Sequence, residues 1–270
     1  MPDARPARAW HVFATYGAAV AGIVAMTILA VELLRSAYPD VPDAALVRSL
    51  PGLLAGALAA SSGLLLTLAI VVRPLSATRL RLRPGRETGP VLAVMVLGIL
   101  ALSQALDSAT RLMGLAEHGS LALVGEALAQ ARGAELLAAV VVLGLVAGGA
   151  EEVFFRGYMQ WRLREHWSAR AAVLATSVCF ALLHGDVTAT HAVAALVLGL
   201  YLGFVAETSG STLPAIVCHA ANNVVYTLQT ALGVAPAGRE GHLAAVAVGI
   251  GLCAACVLWV WRAAPPPPAA

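Results

Sequence analysis

The stretch ELLAAVVVLGLVAGGAEEVFFRG, residues 135–157, decides the fold. Between Glu135 and Glu151 it carries no polar side chain. Glu151, Glu152 and Arg156 follow within two turns. An apolar run of this length approaches the roughly 20 residues that carry a helix across bilayer hydrocarbon. Ionisable groups facing lipid there cost several kcal/mol and are normally turned toward protein or a cavity. The three groups therefore mark an internal polar site as well as a membrane helix.

The remaining chain has the same character. Of 270 residues, 60% are hydrophobic and 12% charged, with a mean hydropathy of +0.82. A soluble domain carries about 25% charged residues. Alternating segments of roughly 10 residues, the mark of a membrane β-barrel, are absent. The expectation is an all-α, polytopic helical membrane protein with about eight transmembrane helices. The spans are read at residues 10–34, 52–72, 89–106, 134–163, 170–184, 189–207, 212–233 and 243–261. With the N-terminus inside, eleven arginines fall in cytoplasmic segments and five outside, the run RPLSATRLRLRPGR (73–86) weighing most. Loop arginines favour the cytoplasmic side, so both termini are expected there. Trp10, Trp161, Trp167, Trp259 and Trp261 fall at the same ends, as an aromatic belt would.

Other functions are excluded or left without support. A net charge of +2 suggests no nucleic-acid partner. Cys179, Cys218, Cys253 and Cys256 all lie in apolar segments, so no disulfide framework is implied, and the CxxC at 253–256 reads as core packing. The basic residues are all arginine and alanine abounds, which fits a G+C-rich genome; a bacterial inner membrane is the expected location. The tail RAAPPPPAA (262–270) cannot be helical throughout.

Polar residues recur at helical spacing inside three spans. Glu152 and Arg156 are four apart, acid first, which favours a pair and leaves Glu151 unpartnered. Phe180 and His184 are four apart in FALLH, and His219 and Asn223 in HAANN. Each pair shares one helix face. Glu151 and His184 lie 16 and 17 residues from a turn near residue 167. In an antiparallel hairpin they sit level, about 24 Å along the helices. Asn223 falls about 20 Å beyond a turn near residue 210, and His219 one turn shallower. This arithmetic sets the layer within reach of the cytoplasmic side. Gly148 and Gly149, and the Gly199–Gly203 pair, permit close helix approach.

A glutamate and a histidine can hold and deprotonate one water, while a second histidine and an asparagine donate to the oxyanion formed at a carbonyl. That is peptide hydrolysis within a membrane cavity. Other hydrolase patterns are missing: no HExxH, no GxSxG, and HGDV (184–187) lacks the GxGD arrangement, so Asp186 reads as a loop residue or cap. His11, His118, His166, His191 and His242 read as interfacial or solvated, and Arg162, Arg164 and Arg170 as headgroup contacts.

EEVFFR (EExxxR), FALLH (FxxxH) and HAANN (HxxxN), in this order on successive apolar helices, resemble the CPBP family. These are the CAAX-processing and bacteriocin-processing (Abi, type II CAAX prenyl endopeptidase) membrane proteases. The likeness covers residues 134–232, a catalytic-like core between N-terminal spans (1–133) and a last span with its tail (233–270). The resemblance implies Glu151 as the water-activating base, Glu152 paired with Arg156, His184 sharing the water, and His219 with Asn223 at the oxyanion. No cofactor is expected; if a metal binds, zinc on Glu151, His184 and His219 is the alternative. Expected partners are the lipid bilayer and a membrane-embedded or lipidated protein or peptide. The competing readings are a transporter, for which no internal repeat is seen, and a non-catalytic binding or immunity protein.

Overall fold

A computed structural model describes residues 8–186 and 188–263. Arg5 and the PPPP tail lie outside the described residues. Those described form helices and turns with no strand. The helices are α1 (Ala9–Ala37), α2 (Asp43–Arg48), α3 (Leu50–Val71), α4 (Gly89–Leu112), α5 (Gly119–Leu128), α6 (Gly133–Arg164), α7 (Ala169–Leu183), α8 (Thr190–Ser209), α9 (Leu213–Leu232) and α10 (Gly238–Ala263). The protein is an all-α polytopic membrane protein.

Among the described residues six helices are long and apolar enough to cross a membrane: α1, α3, α4, α6, α8 and α10. The other two expected spans differ for physical reasons. Helix α7 has 15 residues, short of bilayer thickness. Helix α9 has the length, but His219, Asn222, Asn223 and Gln229 dilute its apolar character. It can carry them because it packs against α4, α6, α8 and α5 instead of facing lipid alone. Short helices α2 and α5, unannounced by hydropathy, lie in the connections between spans.

Glycines set the tightest packing. Helix α1 runs along α3, and a Cβ on Gly63 would come within 2.6 Å of the Ile23 backbone nitrogen. Helix α4 runs along α10, where a Cβ on Gly249 would meet the Ala101 carbonyl oxygen at 2.5 Å. Backbones at such distances leave no room for a side chain.

The α6 helix is not uniformly wound. Val140–Ala147 and Val153–Gln160 are π-helical and flank the short α-helical piece Gly148–Glu152. Such widened turns concentrate at functional sites. They re-aim the side chains between them relative to an ideal α-helix.

The long helices alternate in direction, so the bundle has two faces. One carries the starts of α1 and α9, the 72–88 loop, the α6–α7 turn and the end of α10. That loop is bonded onto the α8–α9 turn. Thr212 Oγ1 donates to Leu80 O (3.0 Å), Ser211 Oγ to Arg83 O (2.6 Å) and Arg86 Nη2 to Thr208 O (2.9 Å). Arg81 donates to the carbonyls of Gly210 and Ala206 at the α8 C-terminus, where cations complement the helix dipole. The opposite face carries α2, α5 and the 233–237 turn.

The close α1–α3 contact gives a stability test. Gly63→Val is expected to destabilise the detergent-solubilised protein by about 1–3 kcal/mol through overpacking. Gly17→Val on the exposed side of α1, where a Cβ meets nothing within 4 Å, should leave the thermal midpoint unchanged.

Candidate active site

Glu152 is the centre of the buried polar cluster. Its side chain is fully buried, and one oxygen, Oε1, accepts from Arg156 Nη1 at 2.9 Å and from His219 Nδ1 at 2.8 Å. Arg156, also fully buried, donates from Nη2 to the Gly199 carbonyl on α8 at 2.8 Å. Its guanidinium carbon lies 5.0 Å from the Phe180 ring centroid on α7, within cation–π range. One carboxylate–guanidinium unit thus ties α6 to α7, α8 and α9. Gly199 permits this, since a Cβ there would press on Arg156, Ser177 and Phe180.

The hydrogen bonds fix which histidine nitrogens carry protons. A carboxylate only accepts, so His219 donates through Nδ1–H to Glu152, and its Nε2 faces Glu151 Oε2 at 3.6 Å. A carbonyl also only accepts, so His184 donates through Nδ1–H to Phe180 O at 2.9 Å. That leaves His184 Nε2 available as an acceptor. Gly148 allows α9 to approach, as a Cβ there would already touch the His219 ring at 3.4 Å. Asn223 donates one Nδ2 hydrogen to Leu143 O, inside the first π segment, at 3.1 Å, and its Oδ1 accepts from Asn222 at 3.2 Å. Its second Nδ2 hydrogen is not used by that bond.

Glu151, His184, His219 and Asn223 all line one cavity of about 1000 Å³. The structure therefore brings together four of the six residues singled out from sequence, while Glu152 and Arg156 sit behind them as support. Phe180 stacks beside His184 with centroids 4.6 Å apart, as its spacing suggested.

Several sequence expectations are corrected. His191 is not interfacial; it lines the cavity with its ring 4.8 Å from that of His184. Asp186 is indeed a loop residue, but the helix it caps is α5, distant in sequence. Its Oδ2 accepts from Ser120 N (2.8 Å) and Ser120 Oγ (2.7 Å), and its Oδ1 from Thr188 N and Oγ1. Since Ser120 Oγ donates to Asp186, it accepts from His191 Nδ1–H at 2.9 Å. The His184 loop, α5 and α8 are latched together by that set. Arg162 and Arg164 are engaged in ion pairs, with Glu165 and Glu207 respectively. No signal in hydropathy pointed to Ser120 or His191, because their partners are remote in sequence.

Cys179, Cys218, Cys253 and Cys256 are buried and free. Among the described residues no three His, Cys, Asp or Glu side chains are grouped so as to hold a metal ion.

The fold and this cluster define a helical membrane protein with a polar site buried among its helices. Residues 133–225 match the family model described as type II CAAX prenyl endopeptidase Rce1-like. That match covers about a third of the chain and supports, for this segment, the CPBP (CAAX-protease) family of membrane proteases. No match emerges among curated proteins or among solved structures.

Two tests follow from the geometry. Arg156→Ala strands a buried carboxylate and should cost about 3–5 kcal/mol in a detergent unfolding assay. Arg164→Ala removes a partly exposed pair with Glu207 and a hydrogen bond to Trp167 O, and should cost about 1 kcal/mol. The second test concerns the latch, where hydrogen bonds, first from the Ser120 backbone N–H, hold the Asp186 carboxyl well below the usual carboxylate range. A depressed folded pKa means the stabilisation is present above the unfolded value and is lost only as pH falls through the folded one. Amide exchange across Ser120–Leu128 should therefore report equal latching at pH 8 and pH 5, and Asp186→Ala should raise exchange at both.

Proposed function

We propose that the protein is an intramembrane endopeptidase in which Glu151 activates water. The observation that carries this reading is the pairing of Glu151 Oε2 with His219 Nε2 at 3.6 Å, with His219 held from behind by Glu152. Glu151 and Glu152 on one side, and Arg156 and an imidazolium at His219 on the other, leave the cluster electrically neutral. Neutrality matters where charge is poorly solvated.

In this reading a water lies between Glu151 and His184 Nε2. Glu151 takes one of its protons as the oxygen bonds to the scissile carbonyl carbon. His219, protonated at Nε2, and the second amide hydrogen of Asn223 donate to the resulting oxyanion. The C–N bond then breaks, and Glu151 returns its proton to the leaving amine. The products are a carboxylic acid and an amine, which pass a proton between them to become carboxylate and ammonium, with no covalent enzyme intermediate. The substrate class is a membrane-associated protein or peptide, consistent with the family and with a cavity embedded among apolar helices.

The test is a comparison of membrane fractions from cells making the wild-type protein or Glu151→Gln at equal levels. New peptide ends generated by the wild type should fall by about 10²–10⁴-fold in the variant, the usual contribution of a general base. Asn223→Ala should lower the cleavage rate by about 10²–10³-fold, as loss of one oxyanion donor does. The same peptide ends in equal abundance in Glu151→Gln cells would refute the proposal.

A further inference from the structure

The cavity does not open on the face where sequence arithmetic set it. Along every helix that lines it, the lining residues run from the catalytic level toward the α2–α5 face. On α9 they run from His219 outward through Thr227 and Thr230 to the 233–235 turn. On α4 they end at Asp107 and Arg111, beside the C-terminus of that helix, and on α3 they start at Gly52, beside its N-terminus. Exposed Glu117 and Glu126 stand at the rim.

Below the catalytic level, toward the chain termini, packed side chains fill the core among the described residues. Phe154, Phe155, Met159 and Leu163 are fully buried there, and the 72–88 loop is bonded across the α8–α9 turn. The route outward, by contrast, is lined on one side by groups that hold water. Ser103, Asp107 and Thr110 of α4 and Tyr226, Gln229 and Thr230 of α9 line it. Such a polar strip through apolar helices is expected where a path is wet.

The closed face is also the arginine-rich one. Ten of the described arginines lie on it (8, 73, 79, 81, 83, 86, 162, 164, 170 and 262), against five on the open face (35, 48, 111, 132 and 239). The arginine-rich face is the cytoplasmic one. The two expectations of cytoplasmic termini and a cytoplasmically accessible site are therefore incompatible in this fold.

We infer that the catalytic cavity is reached from the non-cytoplasmic side, and that its substrate is a polypeptide segment already moved across the membrane. The substrate half of this inference rests on the endopeptidase reading above; the sidedness does not. A translocation step must precede cleavage, so a protein whose target segment stays in the cytoplasm is not a substrate. The apolar wall from Gly52 to Ala60 of α3, built mainly of glycine and alanine, leaves room for an extended chain beside the polar strip.

Single cysteines and a membrane-impermeant maleimide test sidedness in intact spheroplasts. The native cysteines are buried, so the wild type supplies the background. Ala235→Cys at the rim and Thr230→Cys inside the cavity should label without lysis, and Ala77→Cys on the opposite loop only after lysis. The reverse pattern overturns the inference, as does failure of Thr230→Cys to label when Ala235→Cys does. With the peptide-end assay as readout, external labelling of Thr230→Cys should block cleavage at least tenfold; unchanged cleavage overturns the route. Absence of any cleavage in the wild type would count against the endopeptidase reading alone and leave the labelling result standing.

Discussion

Everything in the core is arranged around one buried carboxylate. Glu152 has no contact with solvent, so its charge is tolerable only because Arg156 and His219 converge on the same oxygen. Removing a charge from water costs several kcal/mol, and the return depends on geometry. Here geometry is supplied by four helices at once, through the Gly199 carbonyl, the Phe180 ring and the His219 imidazole. Glu152 is thus both the fastener of the bundle and the group that turns His219 toward Glu151.

That double role explains why two adjacent glutamates are needed. Successive helical residues differ in direction by about 100°, so Glu152 points into the packed core while Glu151 points into the cavity. The π-helical segments on either side adjust the approach of their neighbours, and the first supplies the Leu143 carbonyl that orients Asn223. His184 is oriented by a different device, its own helix's Phe180 carbonyl. His184, His219 and Asn223 are each therefore positioned by a hydrogen bond to a group with no part in the chemistry, as a rigid polar site requires.

Much of this was legible in the sequence because its cause is local. Apolar runs report spans, and four-residue spacing reports shared faces, so EEVFFR, FALLH and HAANN announced the cluster. What stayed hidden has non-local causes. The π winding of α6 leaves no periodicity signature distinct from an α-helix. Helices α2 and α5 are too short to register in hydropathy. The Asp186–Ser120–His191 latch joins residues about 70 positions apart, so no spacing rule could find it. The depth arithmetic placed the residues in one layer but treated turns as doors, whereas the α8–α9 turn carries a bonded loop.

The most direct measurement of the central claim is the protonation pattern of His219 in the protein labelled with ¹⁵N-histidine and embedded in bilayers. His219→Gln assigns the signal. The account requires a proton on Nδ1 throughout the stable pH range, with only Nε2 changing state, and loss of that preference in Glu152→Gln. A neutral His219 with its proton on Nε2 and a bare Nδ1 would mean that Glu152 does not orient it, and the account would fall.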